Sequence, residues 1–71
     1  MNKINTKKLL NSKWTATKPQ NKEKHFVVID VEFDDEKNIV RCVIQALMTK
    51  RENEINWRDL KDRSVWRLGW V

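Results

Sequence analysis

Tryptophan is the residue type in this sequence with the clearest chemical potential, because its flat ring can stack on a base or hold a cation. Four of the 71 residues are tryptophans, and three of them lie within the last fifteen residues. The same ring is also the largest apolar group that a small hydrophobic core can use. We expect Trp57 and Trp66 to lie mostly in the core, and Trp14 and Trp70 to keep a partly exposed ring face.

Basic residues stand beside aromatic ones at Lys13-Trp14, Lys24-His25-Phe26 and Trp66-Arg67. A basic surface with aromatic side chains among its charges is typical of proteins that bind single-stranded nucleic acid. The pattern predicts a set of contacts to RNA or single-stranded DNA. Its members are Lys7, Lys8, Lys13, Trp14, Lys22, Lys24, His25, Arg67 and Trp70.

The net charge of +5 is concentrated in the first third of the chain. Residues 1–25 carry seven lysines against the single acid Glu23, whereas residues 26–71 carry eight basic and nine acidic side chains. This asymmetry indicates either a polyanionic partner or a well-solvated segment. Because the segment has no arginine, which usually supplies bidentate phosphate contacts, we expect non-specific contacts at most.

Catalytic and metal-binding arrangements have little support. Cys42 and His25 could serve as nucleophile and base, but Cys42 lies among apolar residues and is expected to be a buried small hydrophobe. The acidic run 34–36 lacks the other oxygen ligands of a calcium loop and predicts a solvated hairpin tip. Gly69 is the only glycine, so a glycine-rich phosphate loop is excluded. We therefore expect a protein that is not an enzyme and has no catalytic residue, metal ion or cofactor.

A protein-interaction module is the alternative function. Small SH3-like domains recognise peptides through grooves lined by aromatic side chains. The mixed-charge stretch 58–63 stands among the three C-terminal tryptophans, as the rim of a Trp-lined groove would. The partner is therefore predicted to be nucleic acid or, in the alternative, a protein or peptide.

The length of the chain predicts one domain, residues 1–71, with residues 1–12 as a basic segment that can pack loosely. The first residues lack the apolar run of a signal peptide, and no stretch is long and apolar enough for a membrane span. A single cysteine fits a reducing compartment. These features predict a cytoplasmic protein without membrane contact. The sequence does not determine the oligomeric state, and a monomer is the default.

The hydrophobic pattern is mostly that of β-strands. The clearest strand covers 25–33, with Val27, Ile29, Val31 and Phe33 on one face. The return strand covers 39–49, with Val40, Cys42, Ile44, Ala46 and Met48 sharing a face. Shorter strands are predicted at 14–16, 55–57 and 65–70, a polar loop at 18–24, and helical turns at 6–12 and 58–64.

Both long strands carry apolar residues on their second face, which a flat sheet would leave exposed. The order of elements predicts a mainly β fold: a small SH3-like or Sm-like five-stranded barrel, or a strongly bent antiparallel sheet. Gly69 inside the last strand is expected to mark a bulge or a close backbone approach.

Several segments together resemble a family of small tryptophan-rich bacterial proteins of unknown function. The resemblance implies a stand-alone bacterial protein of the cytoplasm, and it brings no catalytic residue and no ligand. It is carried by Lys8-Leu9-Leu10, Ser12-Lys13-Trp14-Thr15-Ala16, Pro19, Lys24-His25-Phe26, Trp57-Arg58, Leu60-Lys61-Asp62, Trp66 and Gly69-Trp70.

Overall fold

The computed structural model describes residues 2–71, so Met1, the first residue of the predicted domain, lies outside the described part of the chain. Five strands form one sheet in the order β4-β3-β2-β1-β5, and every neighbouring pair is antiparallel. Their bounds are Lys13–Gln20 (β1), Glu23–Phe33 (β2), Ile39–Ala46 (β3), Glu52–Ile55 (β4) and Trp66–Leu68 (β5).

Two short 3₁₀ turns accompany the sheet, at Thr6–Lys8 and Trp57–Lys61. Each begins at an asparagine whose side-chain oxygen accepts a backbone hydrogen bond: Lys7 N to Asn5 Oδ1 and Arg58 N to Asn56 Oδ1, both 3.0 Å. Such caps satisfy amide groups that have no partner inside the turn. The predicted helical turns near these positions are confirmed, and both are of the tight 3₁₀ type. No helix within residues 2–71 is long and apolar enough to cross a membrane.

The predicted mainly β fold is confirmed, in its form of a bent antiparallel sheet rather than a closed barrel. The two edge strands β4 and β5 lie at opposite ends of the sheet and do not pair with each other. The register slips twice along the β2–β3 pair, between Val28 and Asp30 and between Glu32 and Phe33. Bulges of this kind bend a strand and increase its twist.

The connection between β1 and β2 differs from the predicted polar loop at 18–24. Instead, β1 continues to Gln20, β2 begins at Glu23, and Asn21 and Lys22 form a two-residue turn. Both turn residues have positive φ, 54° and 63°. Two consecutive residues of this conformation match the hairpin turn whose twist suits antiparallel strands. The polar residues 18–24 therefore form the ends of β1 and β2 and the turn between them, although their composition is typical of a loop.

The bulge in β2 also changes which of its residues face the core. Phe26 and Val28 are buried, whereas Val27 and Ile29 are only partly buried. The prediction that Val27 and Ile29 share a face with Val31 is therefore wrong. After the slip, Val31 pairs with Cys42 and packs against the core, on the same side as Val28. An extra residue in one strand reverses the alternation that periodicity assumes.

The predicted core face of β3 is correct for Cys42, Ile44 and Ala46, which are buried. Met48 is exposed because β3 ends at Ala46 and a turn follows. Val40 is also exposed, since the second register slip separates it from the core residues.

The core lies on one face of the sheet and is closed by the two non-strand segments. Leu9 follows the first 3₁₀ turn and Leu60 lies within the second, and both are fully buried. The side-chain amide of Asn2 donates to the carbonyl oxygens of Leu60 and Trp66, at 2.9 and 2.7 Å. The core residues are Leu9, Trp14, Phe26, Val28, Cys42, Ile44, Ala46, Leu60 and Trp66.

We call the opposite surface of the sheet the back face. The strand register places Thr15 of β1 between His25 of β2 and Arg67 of β5 on this face. Lys13 lies two residues earlier in β1 and therefore points the same way. Thr15 is buried although it lies outside the core, because the C-terminal residues cover it.

Candidate functional site

The C-terminal segment 69–71 turns from β5 onto the back face. Gly69 has φ of 81°, and a side chain added there would meet nothing within 4 Å. The glycine is therefore required by its backbone conformation and not by a close approach. Its amide donates to the carbonyl oxygen of Lys13 over 2.8 Å, which ends β5 and starts the turn.

Thr15 and His25 hold this segment in place. The Thr15 hydroxyl donates to the Gly69 carbonyl oxygen (2.7 Å) and accepts from the Val71 amide (3.1 Å). Nε2 of His25 lies 3.1 Å from the Val71 carbonyl oxygen. These bonds connect residues more than forty positions apart, so the segment is fixed by the tertiary structure.

Trp70 lies at the centre of the resulting cluster. Its side chain is 42% exposed, and its Nε1 donates to the carbonyl oxygen of Phe26 over 3.0 Å. The Lys13 ammonium lies 4.8 Å from the centre of the indole ring, and the His25 ring centre lies 6.0 Å away. The expectation of a partly exposed Trp70 ring is confirmed. The structure thus brings together three of the predicted contact residues, Lys13, His25 and Trp70.

A basic hollow of about 790 Å³ adjoins this cluster. Lys24, Arg63 and Arg67 line it, together with Thr15 and Val71. Within residues 2–71, Arg41 and Arg51 are the only cationic side chains that form ion pairs. None of the three cationic side chains of the hollow therefore forms an ion pair within the described residues.

The other half of the back face carries the opposite charge. Arg41 of β3 lies 3.6 to 3.7 Å from carboxylate oxygens of Asp30, Glu32 and Glu54. These four side chains lie on β2, β3 and β4 and are about half exposed. The back face is thus basic along β1 and β5 and acidic toward β4.

Trp14 is 1% exposed, so the expectation that it keeps an open ring face is wrong. It lies on the core face, where its neighbours across the strands are Phe26 and Leu68. Its Nε1 donates to the Ser12 hydroxyl over 2.8 Å, so its polar atom is satisfied without water. A ring in this position cannot stack on a ligand unless the core opens.

The two remaining tryptophans contribute to the core to different degrees. Trp66 is buried, as expected, and packs edge-to-face on Phe26 with ring centres 5.1 Å apart. Trp57 is only half-buried, packs against the core and lies under two cations, Arg58 at 5.5 Å and Lys61 at 4.8 Å.

The other predicted basic contacts lie elsewhere. Lys7 and Lys8 are exposed in the first 3₁₀ turn, and Lys8 lines a small cavity with Leu9 and Trp14 on the core side of the sheet. Lys22 is exposed at the tip of the β1–β2 hairpin. The lysine-rich segment therefore does not form one continuous surface.

Cys42 and His25 lie on opposite faces of the sheet and do not meet. Cys42 is buried, as expected, and its pKa is raised to about 11 by burial and by the nearby charge of Asp30. The predicted hairpin tip at 34–36 is confirmed as an exposed turn. Asp34 Oδ1 accepts from the amides of Glu36 (2.9 Å) and Asn38 (2.8 Å), so this carboxylate stabilises the turn.

The structural role of Glu23 was not recognised from the sequence. Glu23 has a side chain only 5% exposed, and it accepts hydrogen bonds from Arg51 Nη2 (2.8 Å) and Thr49 Oγ1 (2.5 Å). Its position as the single acidic residue among seven lysines was the one sequence feature that could have indicated a paired, buried carboxylate. Arg63 lies in the stretch 58–63 that was predicted as a groove rim, but its place in the basic hollow beside Lys24 and Arg67 depends on the fold.

Comparison with known proteins gives one result that bears on identity. No curated protein and no solved structure matches the chain. The family described as "Tryptophan-rich protein (DUF2389)" matches residues 12–71, which include all four tryptophans and all five strands. This protein therefore belongs to that tryptophan-rich family of unknown function, as its resemblance predicted.

Proposed function

We propose that this protein is a non-catalytic module that binds single-stranded RNA or DNA through the back face around Trp70. The observation that carries the proposal is Trp70, a residue that is 42% exposed, with the Lys13 ammonium 4.8 Å from the centre of its ring. A base can stack on the open part of such a ring, while neighbouring cations contact the phosphates.

The Trp70 ring is held ready for stacking. Its bond to the Phe26 carbonyl oxygen and the bonds of Thr15 to Gly69 and Val71 fix the ring before any ligand arrives. A fixed platform loses little conformational entropy on binding. Stacking on an aromatic side chain contributes about 1–3 kcal/mol per base and depends little on base identity. The proposal is therefore one of weak sequence preference.

The charge pattern of the back face supports a particular path for the strand. The acidic half around Asp30, Glu32 and Glu54 repels phosphates, whereas Lys13 and Arg67 attract them. The strand would therefore follow β1 and β5 and would avoid β4. The non-catalytic part of the proposal rests on the burial of Cys42 away from His25. A lone buried thiol also fits the proposed cytoplasmic location.

Fluorescence anisotropy of a labelled oligonucleotide about eight bases long tests the proposal. The double variant Lys13→Gln/Arg67→Gln should bind about tenfold more weakly and show a shallower salt dependence, because phosphate contacts are lost. The matched control Arg58→Gln/Lys61→Gln removes the same charge beside a different tryptophan, Trp57. It should retain most of the affinity.

Replacing the ring separates stacking from charge. Trp70→Ala should weaken binding by about 1–3 kcal/mol without changing the salt dependence, and Trp70→Phe should retain part of the affinity. Absence of binding at low salt, or equal losses in the Lys13/Arg67 and Arg58/Lys61 variants, would refute the proposal.

The alternative, a peptide-binding domain, has weaker support. Trp66 and Phe26 line a hollow of about 330 Å³ on the core side, near Val65 and Asn53. The Trp66 ring is only 9% exposed, so little aromatic surface is available to a peptide side chain. Peptide binding would depend little on salt, and the oligonucleotide titrations across salt concentrations therefore distinguish the two functions.

A further inference from the structure

The basic hollow beside Trp70 has the features of a site for one phosphate group. We propose that Lys24, Arg63 and Arg67 together bind a phosphate of the ligand whose base stacks on Trp70. This inference rests on the proposed function for the identity of the ligand. It adds a second binding element, including Arg63, which the sequence pattern did not indicate as a nucleic-acid contact.

The charges of the hollow are available to a ligand. Its three cations come from three elements: Lys24 from β2, Arg63 from the turn after the second 3₁₀ turn, and Arg67 from β5. Within residues 2–71 none of them lies in an ion pair. Like charges gathered around one concavity repel each other, and a bound phosphate would relieve that repulsion.

Residues 63–66 form the wall of the hollow that carries Arg63, and hydrogen bonds hold this wall in place. Thr17 binds this wall twice, through its hydroxyl to the Ser64 carbonyl oxygen (2.5 Å) and through its amide to the Val65 carbonyl oxygen (3.0 Å). The amide of Asn2 binds the Trp66 carbonyl oxygen. The backbone around Arg63 is therefore ordered before a ligand arrives, which favours a defined binding site.

Asp62 is the acidic residue next to Arg63. It accepts hydrogen bonds from the Ser64 amide (2.9 Å) and hydroxyl (2.6 Å), which lower its pKa. With Arg58, Lys61 and Arg63 it lines a second hollow. The Asp62 carboxylate is thus bonded to Ser64 and is not among the groups that line the basic hollow.

The hollow and the Trp70 ring are adjacent. Val71 lines the hollow and directly follows Trp70, and Thr15 lines the hollow while holding both residues that flank Trp70. A phosphate in the hollow and a base on Trp70 can thus belong to one nucleotide unit. Two contacts to one unit make binding tighter than either contact alone.

The test uses the full chain and the double variant Lys24→Gln/Arg63→Gln, which leaves Lys13, Arg67 and Trp70 intact. Its affinity for the labelled oligonucleotide should fall about tenfold, and the slope of log Kd against log salt should fall by about one. The control Arg58→Gln/Lys61→Gln has the same net charge. In the wild type, inorganic phosphate should shift the NMR signal of the Arg63 side-chain Nε–H.

Oligonucleotides with a 5′-phosphate and a 5′-hydroxyl identify the source of the phosphate. Tighter binding of the phosphorylated form, lost in Lys24→Gln/Arg63→Gln, assigns the hollow to a terminal phosphate. Equal binding of both forms, with equal losses in the variant, assigns it to an internal phosphodiester. Either result supports the phosphate site.

Two further outcomes separate this inference from the proposed function. If the oligonucleotide binds but the Lys24/Arg63 variant matches its control and phosphate leaves the Arg63 signal unmoved, the phosphate site is refuted and the proposed function stands. If the oligonucleotide does not bind but phosphate shifts the Arg63 signal, the proposed function is refuted and the hollow is a site for free phosphate.

Discussion

The indole Nε1 of Trp70 donates a hydrogen bond to the backbone carbonyl oxygen of Phe26, 3.0 Å away. The bond joins the segment after the last strand to the middle of β2, across 44 positions of the sequence. It keeps the Trp70 ring on the back face while leaving the side chain 42% exposed. One contact thus contributes to the stability of the fold and to the geometry of the candidate site.

Trp70→Phe removes this hydrogen bond while retaining an aromatic ring. We expect the free energy of unfolding to fall by about 1 kcal/mol, the usual contribution of such a bond. Urea denaturation measures the change. Trp57→Phe is the comparison, since the Trp57 ring makes no hydrogen bond within residues 2–71 and Trp57 is also half-buried. Equal losses in the two variants would show that ring size and not the hydrogen bond is responsible.

The Glu23–Arg51 pair should couple energetically. Arg51→Gln leaves a buried carboxylate without its ionic partner, whereas Glu23→Gln leaves an arginine that is 58% exposed and can be hydrated. We expect Arg51→Gln to be the more destabilising change, and a double-mutant cycle to give a coupling of about 1 kcal/mol after solvent screening.

The Asp30–Arg41 pair is the control for that cycle. Both side chains are about half exposed and lie 3.7 Å apart, so we expect a coupling of less than about 0.5 kcal/mol. Additive effects of Glu23→Gln and Arg51→Gln would contradict an energetic coupling between the buried carboxylate and Arg51.

The hairpin turn between β1 and β2 can be improved. Lys22 has φ of 63°, a conformation that glycine adopts without strain. Lys22→Gly should raise the free energy of unfolding by about 0.5–1 kcal/mol, because glycine suits the second position of this turn. Lys22→Ala removes the charge but keeps the strain, and should give no gain in thermal or urea denaturation. A gain in both variants would indicate relief of charge repulsion instead.

Cys42 should make stability fall at alkaline pH. Burial and the charge of Asp30 raise its pKa to about 11, above its ordinary value of 9.0. Between these values the unfolded thiol loses its proton while the folded thiol keeps it, so rising pH favours unfolding. We expect the free energy of unfolding to drop by about 1 kcal/mol between pH 8 and pH 10 relative to Cys42→Ala. Parallel pH profiles of the two proteins would contradict this assignment.

The candidate site was only partly predictable. The pairing of Lys13 and His25 with Trp70 follows from strand register and from the turn at Gly69, which local patterns do not reveal. Trp14 illustrates the opposite error, since a lysine beside it suggested exposure while its ring fills the core. Adjacent residues in a strand point to opposite faces, so sequence proximity of a charge and a ring is weak evidence for a shared surface.

The class of fold and the family can be read from the amino-acid sequence. Alternating apolar residues specify strands, and the small number of apolar side chains in a short chain requires tryptophan in the core. Which tryptophan remains accessible, and which cations line one hollow, depends on how distant segments pack together. One bulge reverses the faces of β2, and one glycine with positive φ directs Trp70 onto the back face. These are consequences of long-range pairing, which no window of local sequence contains.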